Sequence, residues 1–400
     1  MKKCIILGVS GGIAAYKSIQ LTSNLIKKNY DVEVIMTNNA CEFVKPLSFE
    51  ALTNNIVFID TFEKVTVRST QHISLATKGN IFVIAPASAN VIAKLANGIA
   101  DDMLTTTFLA YDGPKLVVPA MNTNMYNNPI TQRNINILKE YGIEVMDADS
   151  GYLACGTSGI GRMPDVSKIE EMIEYNLCKD KILKGLNILI SAGPTREPID
   201  PIRYITNHST GKMGYAIAKA AIAYGANVTL VTGPTELAKP QLAKVINITT
   251  ANEMSNAIED YKNESDIIIM AAAVSDYRAS EVAPNKIKKH NEDLTLHFIK
   301  NKDILLNLGT NKTSKQVICG FAMETENLID NATSKCLAKN ADMIVANNLF
   351  TEGAGFATDT NVVTLITPNS SDQMDIMSKD ELAKLILNRL FEIHKIKVGK

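Results

Sequence analysis

A short apolar strand that ends in Gly8-Val9-Ser10-Gly11-Gly12 and runs straight into a helical stretch collects phosphate chemistry at one point. Free backbone N–H groups, a hydroxyl and the positive end of a helix dipole would meet there. The dinucleotide pattern G-x-G-x-x-G is not met, since Ser10 and Ile13 occupy its second and third glycine positions, so a mononucleotide fits better than a pyrophosphate. A turn that needs glycine only for tight packing would use the same residues. A second donor-rich stretch runs from Ser191-Ala192-Gly193-Pro194-Thr195-Arg196-Glu197 to Asn207-His208-Ser209-Thr210-Gly211-Lys212-Met213-Gly214. Its tail imitates a P-loop, but Thr206 stands where the first glycine of that motif belongs and Met213 where its Ser/Thr belongs, which disfavours an ordinary ATPase. By charge pattern alone, the basic run Lys286-Ile287-Lys288-Lys289 reads as a solvated loop.

Each of these points needs a strand, a turn and a helix to hold it. Residues 4–9 read as a strand, 13–28 as a helix and 32–36 as a second strand, which is a βαβ unit. Further buried strands are expected at 81–85 and 116–119, with helix through 91–95 between them; the alternation predicts a doubly wound parallel sheet. These strands end in Thr37-Asn38-Asn39-Ala40, in Ala85-Pro86-Ala87-Ser88-Ala89-Asn90 and in Pro119-Ala120-Met121-Asn122-Thr123-Asn124-Met125. Small polar residues thus fall where such a sheet builds its crevice. A new βαβ unit opens with strand 187–191, helix 212–224, Gly225 as its stop and strand 228–232. The charged segment 179–184 is the expected linker, giving domains 1–178 and 185–400. A terminal helix at 379–394 is expected to pack on the second domain, with no chemistry assigned to it.

A chain of 400 residues exceeds what one core normally supports, in keeping with two domains. Its formal net charge of −1 gives no support to nucleic-acid binding. No run of about 18 apolar residues suggests a membrane span, and the Lys2-Lys3 start with its short apolar run is too brief for a signal peptide. The six cysteines form no C-x-x-C pair or zinc-ligand cluster, so reduced thiols in a soluble, cytoplasmic protein are expected.

The segments A-P-A-S-A-N-x-x-A-K and P-A-M-N-x-x-M resemble signatures of the homo-oligomeric flavin-containing cysteine decarboxylase family. The resemblance implies FMN held by Ser10, Gly11, Gly12, Ile13, Ala14, Thr37, Ser88 and Asn90, and catalytic parts for His72, Asn122 and Cys155. Alone, His72 would more often be structural and Asn122 a turn former. Cys155 lies in a run with four glycines, Gly151 to Arg162, which resembles the mobile substrate flap of that family. The implied chemistry uses the flavin to oxidise the thiol-bearing carbon, so that the carboxylate leaves with its electrons draining into sulfur, and then to return the hydride. His72 would be the base, Asn122 the carboxylate ligand and Cys155 the final proton donor.

In the second half, the Ser191 to Gly214 stretch together with Ala271-Ala272-Ala273-Val274-Ser275-Asp276-Tyr277, Lys286 to Lys289 and Gly320-Phe321-Ala322-Met323-Glu324-Thr325 resembles the phosphopantothenate–cysteine ligases. Nearly the whole chain therefore resembles the bifunctional coenzyme A biosynthesis family, with two Rossmann-like doubly wound α/β domains: a flavodoxin-like flavoprotein domain, then a ligase domain. The resemblance implies CTP with Mg²⁺: the carboxylate of 4′-phosphopantothenate attacks the α-phosphate, and cysteine's amine then displaces CMP. Lys286 would stabilise that transition state, with Lys288, Lys335 and Lys339 as further phosphate contacts. Asp276 would hold Mg²⁺ or the nucleotide sugar, Phe321 the base, and Asn207 would serve the conversion to amide. Ala271, Ala272, Lys302, Asp303, Ile304 and Leu305 complete the implied nucleotide contacts. Lys302-Asp303 departs from a usual Pro-Asp, and Ser275 from a frequent Ala. The family resemblance further implies trimers assembled into a dodecamer. A decarboxylase of other cysteine-containing substrates would leave the second half unexplained. A regulatory flavoprotein would not be expected to keep His72, Asn122 and Cys155 together.

Overall fold

The computed structural model describes residues 2–62, 70–154, 156, 158–288, 294–324, 326–348 and 358–399. The chain divides into two compact units, Met1–Lys179 and Asp180–Lys400.

The first unit is built on five parallel strands, β1 (Cys4–Val9), β2 (Asp31–Met36), β3 (Ile81–Ala87), β4 (Lys115–Pro119) and β5 (Glu144–Val145), in the order β2-β1-β3-β4-β5. This is the flavodoxin-like strand order. The strands are rich in β-branched residues and apolar on both faces, as a sheet covered by helices on both sides requires. Alternation along β1 sends Ile5, Leu7 and Val9 into one core and Ile6 into the other. The first core is closed by helices Ala15–Lys27 and Val166–Leu177, through Leu21, Leu25, Ile169 and Ile173. The second is closed by Val91, Leu104 and Leu138 of other helices. Beyond β5 an antiparallel pair follows, β6 (Asp149–Tyr152) and β7 (Ser158–Arg162).

The second unit carries an eight-stranded sheet. Its strands are β8 (Asn187–Ala192), β11 (Asn227–Thr232), β12 (Ala243–Asn247), β13 (Ile267–Met270), β16 (Val317–Glu324), β17 (Met343–Asn348), β19 (Thr364–Thr367) and β20 (Ser370–Gln373). The order is β12-β11-β8-β13-β16-β17-β19-β20. The first six are parallel and, counted along the chain, follow the Rossmann order 3-2-1-4-5-6. Strands β19 and β20 extend the sheet antiparallel. Small two-stranded ribbons flank it: β9 (Arg196–Pro198) with β10 (Tyr204–Thr206), and β14 (Tyr277–Ala279) with β15 (Phe298–Lys300). Helix Ala251–Tyr261 packs with Ile304–Asn311 on one face, where Met254 and Ile258 meet Ile304 and Leu308. Helix Lys212–Ala223 lies against β8 and β11, with the terminal helix Lys379–Lys397 beside it.

The expected α/β class with two doubly wound sheets is what the structure contains. The segment expected as linker is more ordered than a tether: Leu183 is buried, its N–H donates to Tyr224 O at 3.0 Å, and Lys181 Nζ donates to Ala223 O at 2.8 Å. Among the described residues no helix is long and apolar enough to cross a membrane.

Candidate active sites

The loops leaving β1, β2, β3 and β4 all emerge at the carboxyl edge of the first sheet. The switch in strand order falls between β1 and β3, the position where an open α/β sheet leaves a crevice. Gly11, Gly12 and Ala14 on one side and Ser88 on the other are half-buried, while Ile13 and Asn90 are exposed. Gly11 is required by contact, because a Cβ there would sit 2.5 Å from Asn39 Cβ. At Gly12 an added Cβ would meet nothing within 4 Å, so the loop opens outward at that residue. Thr37 and Ser88 are helix N-caps that accept from Ala40 N (3.2 Å) and Val91 N (3.3 Å). His72 is half-buried in the first turn of helix Gln71–Lys78, which precedes β3.

Asn122 caps helix Thr123–Asn127, its side-chain oxygen accepting from Asn124 N at 2.9 Å. Strand β7 lies directly on this loop: Met121 N donates to Gly161 O at 2.9 Å. A Cβ at Gly161, where φ is +134°, would stand 2.3 Å from Met121 O, and one at Gly159 would stand 2.4 Å from Thr123 Oγ1. Two of the glycines expected to give mobility thus serve close approach, fixing one arm of the ribbon to the Asn122 loop. Cys155 lies between the arms and outside the described residues. Elsewhere, burial raises the Cys4 thiol to about 12 and the Cys336 thiol to about 11, leaving both protonated and unreactive near neutral pH.

The second unit has a cavity of about 900 Å³ over the carboxyl ends of β8, β13, β16 and β17, spanning the switch point between β8 and β13. Among the described residues six lysines line it, Lys212, Lys300, Lys302, Lys335, Lys339 and Lys379, against two carboxylates, Asp276 and Asp303. Such an excess favours polyanions. Several of these groups are held by the scaffold. Lys335 Nζ donates to Phe321 O at 3.1 Å, and Lys339 pairs with Asp303. Asp303 also caps helix Ile304–Asn311 through Leu306 N (2.9 Å); burial works to raise its pKa, but Lys339 and the cap outweigh it and keep it below the usual carboxylate value. Asn207 Nδ2 donates to Ala273 O at 3.1 Å, tying the long first loop to the segment after β13. That junction is reinforced by Ala273 N to Gly193 O (3.0 Å) and Ser275 N to Thr195 Oγ1 (3.0 Å). Gly193 and Gly211 both have left-handed φ (+74° and +81°), which glycine alone adopts without strain. Among the described residues no group of three His, Cys, Asp or Glu side chains converges as a metal site.

The structure brings Asn207, Ala271, Ala272, Asp276, Phe321, Lys335 and Lys339 to one cavity, with the Lys302 to Leu305 segment on its rim. Three places have surroundings that the sequence did not foresee. Ser10 is fully buried; its hydroxyl donates to Pro86 O and accepts from Ser88 N, both at 2.8 Å, so it braces the β1 and β3 loops. Lys286 and Lys288 are exposed and are not among the residues lining the cavity. Their segment is anchored to Asp200 and Arg203, through Ile287 N to Asp200 Oδ2 (3.1 Å) and Arg203 Nη2 to Ile287 O (2.9 Å). The terminal helix is not silent, because its first residue, Lys379, lines the cavity.

Residues 1–177 match the family model described as Flavoprotein, and residues 183–393 match DNA/pantothenate metabolism flavoprotein C-terminal domain. The coenzyme A biosynthesis bifunctional protein CoaBC of Bacillus subtilis (strain 168) is 44% identical, over 98% of this chain and 97% of its own length. The same-named protein of Haemophilus influenzae is 43% identical, over 98% and 97%. The chain belongs to the family of bifunctional coenzyme A biosynthesis proteins. A crystal structure of the C-terminal domain of such a protein, 38% identical, covers 53% of this chain and 97% of its own with a TM-score of 0.46.

As a member of this family the protein is an enzyme of coenzyme A biosynthesis with two activities, phosphopantothenoylcysteine decarboxylase and phosphopantothenate–cysteine ligase, and its first half is a flavoprotein domain. Two features of the ligase half escaped sequence reading. Lys379 sits at a helix start more than a hundred residues beyond Asp276, and Asn347 and Asn361, buried in the cavity wall, come from strand ends. A lysine directly after the N-cap Ser378, inside the capping box that Glu381 closes, was the available signal, but capping explains those residues without a ligand.

Proposed function

We propose that the second half joins cysteine to 4′-phosphopantothenate at the expense of CTP with Mg²⁺, and that the first half binds FMN and decarboxylates the resulting phosphopantothenoylcysteine to 4′-phosphopantetheine. The observation that carries the ligase reading is the six-lysine cavity of about 900 Å³ at the switch point of the second sheet. Two polyanions must approach each other there, and a carboxylate must attack a phosphoryl group; fixed cations lower that barrier by offsetting charge as it concentrates. Lys335 and Lys339, with Phe321 between strand and helix, suit the nucleotide. Among the described residues no group of three His, Cys, Asp or Glu side chains gathers around Asp276, so Mg²⁺ would be held mainly by the nucleotide's phosphates, the usual habit of that ion.

For the flavin half, the fit rests on the outward-opening loop at Gly12 and on the N-caps Thr37 and Ser88 around the β1/β3 crevice. FMN supplies reversible two-electron oxidation of the thiol-bearing carbon when bound. Asn122 holds the substrate carboxylate: with its oxygen engaged by Asn124 N, the amide NH₂ is the end that donates, the polarity a carboxylate needs. His72 takes the proton during oxidation and Cys155 returns one at the end. The family resemblance further leads us to propose a cytoplasmic homo-oligomer based on trimers and assembled into a dodecamer, in which exposed apolar side chains of the first unit such as Tyr16, Leu47, Leu109 and Ile130 would be available for subunit contacts.

Full-length protein incubated with 4′-phosphopantothenate, cysteine, CTP and Mg²⁺ tests this reading. Wild type is expected to release CMP and CO₂ and accumulate 4′-phosphopantetheine, while Cys155→Ser still releases CMP and CO₂ but stops at the enethiol, short of 4′-phosphopantetheine. A yellow protein that releases no CMP would sink the ligase reading.

A further inference from the structure

The lysines of the ligase cavity come from opposite faces of the sheet. Lys335 and Lys339 belong to helix Leu328–Ala338 and its C-cap, and Lys339 reaches Asp303 at the start of helix Ile304–Asn311. Lys212 and Lys379 open the two helices packed side by side elsewhere on the sheet, Lys212–Ala223 and Lys379–Lys397. This second pair is knit together by one short segment. Lys212 Nζ pairs with Asp359 Oδ1 at 2.7 Å, Lys379 N donates to Asp359 O at 2.9 Å, and Lys379 Nζ donates to Thr358 O. Lys379 is only 7% exposed although it lines a cavity.

We propose that Lys379 is a substrate-binding residue of the ligase half, which with Lys212 holds the phosphate of 4′-phosphopantothenate, while Asp359 is the counter-ion that this phosphate replaces. The inference rests on the ligase reading above.

Three observations carry it. First, the reaction brings two anionic partners into one cavity, and the cavity offers two separate cation groups, one already matched to the nucleotide by Phe321, Lys335 and Lys339. Second, the carboxylate that pairs with Lys212 is a side chain 90% exposed, a weak electrostatic partner that a dianion can displace. Third, the local charge is unbalanced: burial and then Lys212 drive the Lys379 ammonium below its ordinary pKa, and Asp359 only partly offsets them. A bound phosphate would reverse that balance, and Asn361, buried in the same wall, adds a neutral polar group beside it.

The test compares wild type, Lys379→Met and Lys379→Arg as full-length protein, reading CMP release while each substrate is varied in turn, with thermal unfolding of each variant alongside. The methionine variant is expected to raise KM for 4′-phosphopantothenate on the order of tenfold, the loss of one charge-assisted contact, with KM for CTP within about twofold. Arginine should recover at least part of the loss. Unchanged KM values, a shift that falls on CTP instead, or a fall in kcat with lowered thermal stability that arginine does not restore would each overturn the proposal. Wild type that releases no CMP is a different result, because it removes the ligase reading itself.

Discussion

The two halves place their sites at the same spot in the fold and furnish them in opposite ways. In the first sheet the residues proposed around the crevice between the β1 and β3 loops are glycines, two N-capping hydroxyls and an asparagine. In the second, the corresponding place is a cavity ringed by lysines. Topology decides where a ligand can sit, and the reaction decides what must stand there. A decarboxylation whose electrons pass through a flavin needs close positioning and few charges. Activating a carboxylate with a triphosphate needs cations in quantity.

The strongest way to break this contrast is to remove charge from the second site alone. Lys335→Met combined with Lys339→Met should lower ligase kcat/KM by about a thousandfold, at the scale of losing preorganised donors to a developing charge. Decarboxylation of supplied phosphopantothenoylcysteine should stay within about twofold. Separate assays of CMP and CO₂ release check this, and a matching fall in CO₂ release would show that the two sites do not act separately.

Removing positioning from the first site is the complementary experiment. Gly161→Ala puts a Cβ 2.3 Å from Met121 O at a φ of +134°, so the ribbon must lift from the Asn122 loop. Decarboxylation should fall on the order of a hundredfold, as displacements near an ångström do, with ligase activity unchanged. Gly156→Ala, whose Cβ would meet nothing closer than Tyr152 Oη at 3.8 Å, carries the backbone strain of its φ of +83° without the clash and so separates the two effects.

What could be read in advance divides along the same line. The sheets were legible because their strands are short β-branched runs ending in glycine or small polar residues, and each helix carries a 3.6-residue apolar stripe. Much of the cavity lining was legible through local motifs, such as Ala271 to Tyr277. Lys379 was not, because its place depends on a terminal helix packing beside Lys212–Ala223, which no local pattern encodes. The brace at Ser10 was hidden for a related reason: a serine in a glycine-rich turn suits a phosphate, and only the return of β3 reveals that Pro86 O and Ser88 N use its hydroxyl.

Lys286 sharpens the contrast from another side. Its neighbour Ile287 is held by Asp200, whose carboxylate also accepts from Ile202 N, Arg203 N and the Arg203 guanidinium; these bonds, Arg203 first and against some burial, hold its pKa far below the ordinary 3.8. A depressed carboxylate pKa stabilises above the ordinary value and loses its effect only as pH falls through the depressed one. Between pH 5 and 8 this anchor therefore does not titrate. Asp200→Asn should lower ligase activity about tenfold through loosening of that segment, with a flat pH dependence across this range. If Lys286→Ala costs ligase activity while Asp200→Asn costs none, the segment positions nothing and Lys286 acts without its anchor.

The smallest effect separates a brace from a contact. Ser10→Ala removes the donor to Pro86 O and the acceptor for Ser88 N in a fully buried place, which should cost about 1–3 kcal/mol of stability for groups left unsatisfied. If Ser10 only braces the loops, that cost appears in the flavin-free protein, and FMN affinity falls by no more than a few-fold. If the hydroxyl instead turns outward to a flavin phosphate, the flavin-free protein keeps its stability while FMN affinity falls by tenfold or more. Thermal unfolding with and without FMN, beside a flavin titration, distinguishes the two. The first outcome would mean that the crevice grips its ligand through backbone N–H groups at Gly11 to Ala14, leaving lysine side chains as the gripping device of the second half alone.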